Sequence, residues 1–203
     1  RLTRAGRSRL ASGANPASVT GPVRGSSSVI RNLAFGCAVL SVLILTILTV
    51  AGGLVYPDYD HLTQFISELG ATGAVTGPAV SMGFIVSGAL LTLFWLLCIG
   101  LFPRSLLAKA GFGLSALNGL GLMFGGVFPC AFECSLADPA PSAILHDVFG
   151  GIGYLAGIAG ICLIALGARR WSHGRYLYPL GLACGIPAAA AIWLLHPGFE
   201  WYG

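Results

Sequence analysis

The chain has 203 residues, of which 56% are hydrophobic and only 9% are charged, and its formal net charge is +4. In soluble domains about a quarter of the residues are charged, so this composition excludes an ordinary soluble domain. An apolar run of about 20 residues is long enough to cross a bilayer as a helix. Five such runs occur, at 33–55, 78–102, 110–128, 148–168 and 176–195. The sequence therefore predicts an all-α, polytopic transmembrane helical bundle with five visible spans.

The first 28 residues, RLTRAGRSRLASGANPASVTGPVRGSSS, are rich in Arg, Ser and Gly and have few bulky apolar side chains. Such a segment cannot bury a core of its own. We therefore predict that 1–28 form a mobile basic segment and that 29–203 form the bundle. The first apolar run is longer than the core of a secretory signal, so we interpret it as a retained span. Since the chain starts without Met, we expect that its start has been trimmed or is only partly present in this sequence.

The charged residues separate by sign once five spans are assigned. All eleven Lys and Arg fall before the first run or in the second and fourth connectors, and all seven Asp and Glu fall on the other side. Because positively charged loops stay in the cytoplasm, the N-terminus is predicted to be cytoplasmic and the acidic loops to face outward. The lipid bilayer is the expected partner. No basic region interleaved with aromatic residues is present, which argues against nucleic-acid binding.

The first outer connector reads YPDYDHLTQFISELGATG, at residues 56–73. An apolar stripe with the helical period consists of Leu62, Phe65, Ile66 and Leu69. This spacing predicts a short amphipathic helix in the membrane interface, with His61 and Glu68 on its opposite side. Asp60 is placed to cap the start of that helix, and Gly70 to end it in the left-handed conformation.

The second outer connector contains two of the six cysteines, Cys130 and Cys134, within FPCAFECSLADPAPSAILHDVFG. An extracytoplasmic compartment is oxidising, so this pair predicts a disulfide bond that closes the loop. The alternative is half of a metal site, but the second pair of ligands that would complete a zinc site is missing. The other four cysteines lie in apolar runs and are expected to act as small apolar residues.

A Ser and a His stand four residues apart at the start of the fourth run, so Ser142 and His146 would share one helix face. This pair is typical of a catalytic nucleophile with its general base, or of a metal ligand with a residue that orients it. A simpler interpretation makes Ser142 a helix cap and Asp147 an acid that favours the helix dipole. An imidazole at the membrane boundary costs free energy unless it is used. His146 is therefore our first choice for a functional residue.

Within the predicted spans, polar side chains are few and glycines are many. Asn118 is expected to form a hydrogen bond with a neighbouring helix. Gly121 with Gly125, and Gly153 with Gly157, are spaced four residues apart, which allows two helices to approach closely. No ladder of charges crosses the spans, so a proton-driven transporter is disfavoured.

The order of these motifs resembles a bacterial membrane-protein family, domain of unknown function 998. ISELGA in the first outer loop is followed by a Cys-x-x-x-Cys loop and then by Ser-x-x-x-His at a span, and the resemblance covers nearly the whole chain from Arg31. It implies a bacterial cell membrane location and six spans, so we expect a sixth span besides the five visible ones. More remotely, QFISELGATG is similar to a loop of the six-span Frag, DRAM and Sfk-type proteins, some of which are tied to lipid or glycolipid handling.

Two functions are predicted as alternatives. The first is an outward-facing site that binds or processes a lipid head group or holds a divalent metal such as zinc. Its chemistry would be carried by His61, Glu68, His146 and Asp147, with Ser67, Ser142 and Asp60 as polar partners and His61 and His146 as metal ligands. The second is an accessory or scaffold subunit of a larger membrane complex, for which small size and glycine-rich helices are suited.

Overall fold

The described residues of the computed structural model are 24–102, 105–135, 140–169, 171, 174 and 176–194. They form five α-helices and two short 3-10 helices, and these ranges contain no β-strand. The α-helices are α1 Arg24–Val55, α2 Gly77–Leu101, α3 Leu106–Val127, α4 Pro141–Ala168 and α5 Leu177–Leu194. Most of the predicted basic segment lies outside the described residues, as do Asp138, His196 and Glu200.

Four helices, α1 to α4, are long and apolar enough to cross a membrane, and the described part of α5 is a shorter apolar helix. The predicted transmembrane helical bundle is thus confirmed, with its five helices in the expected order. The fourth helix begins at Pro141, seven residues earlier than its apolar run. Ser142 and His146 therefore lie within α4 and do not precede it.

Close contacts between glycines and backbone hold α2, α3 and α4 together. A Cβ atom built on Gly88 of α2 would clash with the backbone of Gly119 and Met123 in α3. A Cβ on Gly121 of α3 would lie 2.8 Å from the Cα of Gly153 in α4, which confirms the close approach predicted for these glycines. These helices consequently pack backbone against backbone, antiparallel and in chain order.

The outer helices α1 and α5 each pack mainly on one neighbouring α-helix. Side chains join α1 to α2: Leu48 occupies the space beside Gly83, and the Ser41 hydroxyl donates a hydrogen bond to the carbonyl oxygen of Ser87 at 2.8 Å. The helix α5 packs on α4. In the described residues α1 and α4 have little or no direct contact, so a space remains between them in front of α2 and α3.

The antiparallel order brings charges of one sign to each end of the bundle. The end where α1 and α3 finish and α2 and α4 begin is called the acidic end below. It holds all the acids of the described residues, namely Asp58, Asp60, Glu68, Glu133 and Asp147. The opposite end holds Arg31, Lys109 and Arg169. The predicted separation of charge is therefore present in the folded bundle.

The short helix predicted in the connector between α1 and α2 is present as a 3-10 helix, Ile66–Gly70. Its expected apolar stripe does not share one face, because Leu62 is 93% exposed whereas Leu69 is fully buried. The prediction that Gly70 adopts the left-handed conformation was wrong. Gly73 adopts it instead, with φ of +86°, so the chain turns three residues later than expected.

Candidate functional site at the acidic end

A cleft of about 260 Å³ lies between α1 and α4, with α2 and α3 behind it and the 3-10 helix above it. Most of its lining is apolar side chains and glycines, and the polar side chains that line it are Ser67, Asn118, His146 and Tyr154. Along α3 the lining extends from Asn118 to Gly125. Seven residues of helical rise make the cleft about 10 Å long. The cleft therefore leads from the acidic end into the middle of the bundle.

His146 stands at the acidic end of this cleft and is bonded to the last turn of α3. Its Nδ1 lies 3.0 Å from the carbonyl oxygen of Gly125 and 2.9 Å from that of Phe128. Carbonyl oxygens only accept hydrogen bonds, so the proton is assigned to Nδ1, which donates to both. The last carbonyls of a helix have no partners within the helix, and His146 supplies one from α4.

Ser142 makes a similar contact one helical turn earlier on α4. Its hydroxyl donates to the carbonyl oxygen of Pro129 at 2.9 Å. The residue at the cap position of α4 is Ala140, so the interpretation of Ser142 as the cap of this helix was wrong. Asp147 is exposed and is not part of the lining of the cleft.

Ser67 lies above the cleft and joins the two loops of the acidic end. The sulfur atoms of Cys130 and Cys134 are at disulfide distance, as predicted. The hydroxyl oxygen of Ser67 lies 3.3 Å from the Sγ of Cys134. The backbone N–H of Thr72 donates to the carbonyl oxygen of Cys130 at 3.0 Å. A loop that is closed by a disulfide therefore supports the residue above the cleft.

Replacing both Cys130 and Cys134 by serine is expected to lower the free energy of unfolding by about 2 kcal/mol. A cross-link that closes so short a loop restricts the entropy of the unfolded chain by about this amount. The measurement is thermal unfolding of the purified protein in detergent, with and without a reducing agent. The wild type should lose stability on reduction, whereas the double variant should not respond to the reducing agent. A wild type that does not respond either would show that the two thiols are unpaired.

Glu68 is 6% exposed, and its carboxylate is engaged within the first loop. One oxygen accepts a hydrogen bond from the backbone N–H of Phe65 at 2.9 Å, and the other accepts one from the Nε2 of Gln64 at 3.0 Å. Hydrogen bonds to an ionised group are stronger than those between neutral groups. Glu68 therefore holds the start of the 3-10 helix, and it does not line the cleft.

His61 is exposed and packs against the end of α1. Its ring meets the ring of Tyr59 edge-on, with centroids 4.9 Å apart, and a Cβ on Gly53 would come within 2.6 Å of its Cε1. The carboxylate of Asp60 accepts a hydrogen bond from the backbone N–H of Leu62 at 2.8 Å and caps a turn. Within the described residues no hydrogen bond joins His61 to an acidic side chain.

The described ranges contain no group of three or more His, Cys, Asp and Glu side chains that could hold a metal ion. His146 lines the cleft, whereas His61 does not. The binding of zinc by these two histidines stays a prediction. Of the predicted site residues, the structure places Ser67 and His146 in one cavity.

Some residues of the cleft were not predicted as part of a site. Gly150 and Tyr154 follow His146 at intervals of four residues, so the three share one face of α4. That spacing is the signal in the sequence that identifies them. Asn118 was predicted only to form a hydrogen bond, and this is confirmed: its Nδ2 donates to the carbonyl oxygen of Gly153 at 3.2 Å.

The pKa values of two tyrosines indicate a negative potential at the acidic end. Burial raises the pKa of the Tyr56 phenol, and the carboxylates of Glu133 and Glu68 raise it further. Burial also raises the pKa of Tyr59, with smaller effects from Glu68 and Asp60. Carboxylates have this effect because they oppose the formation of a second negative charge nearby.

A family model described as a protein of unknown function, DUF998, matches residues 39–203. No curated protein and no solved structure shows significant similarity to the chain. The matched residues include every lining residue of the cleft and both loops of the acidic end. The candidate site therefore lies entirely within the matched region.

Proposed function

We propose that this chain, which belongs to the DUF998 family of membrane proteins of unknown function, binds a membrane lipid in the cleft between α1 and α4. The polar end of the lipid would lie beside Ser67 and His146, and its apolar part would lie along the cleft towards Asn118. The main support for the proposal is the cleft itself. Most of its lining is apolar, and only a few polar side chains face it.

Ligand sites are typically apolar cavities with a small number of polar groups that orient the ligand. This cleft has that character, and the helices on both sides of it are apolar enough to lie in a bilayer. A lipid needs the same combination, because its chain leaves the hydrocarbon of the bilayer only for another apolar environment. A metal centre or a hydrolytic reaction is not part of the proposal.

The charges support one orientation of the site. The cations of the described bundle are at the end opposite the cleft's polar groups. Since positively charged segments are retained in the cytoplasm, we expect the acidic end to face the outside of a bacterial cell membrane. The lipid would then be taken from the outer leaflet.

Two neighbouring glycines of α4 provide a test of the cleft. A Cβ on Gly150 or on Gly151 would meet nothing within 4 Å, so both positions accept a larger side chain without a clash. Only Gly150 lines the cleft. Gly150→Leu is therefore expected to fill the cleft, and Gly151→Leu is its matched control on the same helix.

The measurement uses the full chain in nanodiscs with a diacyl lipid that carries a photoactivatable acyl chain. Cross-links are mapped by mass spectrometry to the segments of α1 and α4 that border the cleft. Gly150→Leu should reduce labelling of these segments by about tenfold, the equivalent of 1.4 kcal/mol, and Gly151→Leu should leave it within about twofold. Equal labelling of both variants would overturn the proposal. An accessory role in a larger complex stays a prediction, for which stable copurification of a protein partner would be required.

A further inference from the structure

From the polar end of this cleft, we infer that the lipid is a lipid alcohol: a neutral lipid that donates a hydrogen bond from a hydroxyl group and carries no phosphate. The inference rests on the proposed function and names the class of its ligand. It depends on two independent features of the acidic end, the tautomer of His146 and the distribution of charge.

The tautomer of His146 determines what the ring offers to a ligand. Nδ1 donates to the carbonyl oxygens of Gly125 and Phe128, so in the neutral ring Nε2 carries the lone pair and only accepts. The Nδ1–Cε1 edge lies against α3, with Cε1 at 3.7 Å from a Cβ built on Gly125. Among the described residues Nε2 has no hydrogen-bond partner. A ligand beside this atom must therefore supply a donor, as a hydroxyl group does and a phosphodiester does not.

The charge around the site disfavours a phosphate. In the sequence no Lys or Arg occurs between Arg31 and Arg104, or between Lys109 and Arg169. Both loops of the acidic end fall within these intervals, so neither contains Lys or Arg. Proteins hold phosphate groups mainly with Arg and Lys, or with backbone N–H groups at a helix N-terminus. The helices α2 and α4 begin at this end, but their first turns do not line the cleft.

Two acids lie close in sequence to the polar end of the cleft. Glu68 follows Ser67 directly and Asp147 follows His146, although neither acid lines the cleft. Burial raises the pKa of Tyr59 most, and the nearby carboxylates of this end raise it further. An anionic head group would have to enter this negative region without a partner, whereas a hydroxyl group carries no charge to repel.

The test compares three ligands with the same acyl chains: dioleoylglycerol, its methyl ether at the free hydroxyl, and dioleoyl phosphatidate. Binding to the full chain in detergent is measured by native mass spectrometry at about pH 8. Dioleoylglycerol should bind about tenfold more tightly than its methyl ether, the loss expected for one hydrogen bond of 1.4 kcal/mol. It should also bind more tightly than the phosphatidate. Equal or tighter binding of the phosphatidate or the ether would overturn the inference.

A variant of His146 separates ligand recognition from folding. The amide N–H of asparagine replaces the Nδ1–H of histidine, so His146→Asn keeps a donor for the carbonyl oxygens of α3 and removes the acceptor at Nε2. This variant should bind dioleoylglycerol and its methyl ether equally, at the affinity of the ether for the wild type. A preference for the alcohol that persists in this variant would overturn the inference.

The two proposals fail in different ways. Tight binding of the phosphatidate that Gly150→Leu abolishes would refute the lipid alcohol and leave lipid binding in the cleft intact. Binding of none of the three lipids, together with equal labelling of Gly150→Leu and Gly151→Leu, would refute both.

Discussion

Replacing Gly88 by valine should lower the free energy of unfolding by about 3 kcal/mol, the upper part of the usual range for overpacking. A Cβ at this position would lie 2.6 Å from the carbonyl oxygen of Gly119 and 2.7 Å from the Cα of Met123. These atoms belong to the backbone of α3 and cannot rotate away. The only relief is to separate α2 from α3, which also opens the back wall of the cleft.

The same substitution at Gly100 is the matched control, since this glycine is also in α2 and a Cβ there would meet nothing within 4 Å. Its effect should stay within about 0.5 kcal/mol. The measurement is unfolding of both variants by a denaturing detergent at constant total detergent. Equal stability of the two variants would show that the close approach of α2 and α3 does not contribute to the fold.

Replacing Glu68 by alanine should lower the free energy of unfolding by about 3 kcal/mol, because a charged acceptor is lost and the backbone N–H of Phe65 loses its partner. The loss should be smaller for Glu68→Gln, since the amide oxygen still accepts from that N–H. The 3-10 helix begins after Phe65, so its first turn and the position of Ser67 depend on this carboxylate.

Asp147→Ala is the control for Glu68→Ala, because Asp147 is an exposed acid at the same end of the bundle. Its effect should stay within about 0.5 kcal/mol. Thermal unfolding and cross-linking of the lipid probe are measured together for these variants. If Glu68→Ala is as stable as Asp147→Ala, the carboxylate does not hold the loop.

The architecture could be predicted from hydropathy, because a helix that crosses a bilayer needs a long apolar run and the chain has five. The boundary of α4 could not be predicted this way. Ser142, His146 and Asp147 precede the apolar run, yet they are helical because Ser142 and His146 find carbonyl acceptors near the end of α3. Such partners are far away in the sequence, so hydropathy contains no information about them.

The candidate site was predictable in part. Ser67 and His146 were selected as polar residues near the membrane boundary, and both line the cleft. The expected convergence of His61 and Glu68 assumed a regular α-helix with 3.6 residues per turn. The chain forms a turn and a 3-10 helix there, and this geometry changes which side chains share a face.

The packing of the helices also gives the two sides of the cleft different mechanical properties. The α4 side is joined to α3 by contacts between backbones, as at Gly121 and Gly153, and backbone atoms cannot change rotamer. The α1 side is held through side chains such as Leu48 and Ser41, which can adjust by bond rotation. We therefore expect α1 to act as the movable gate through which a lipid enters from the bilayer, while α4 keeps the position of His146 constant.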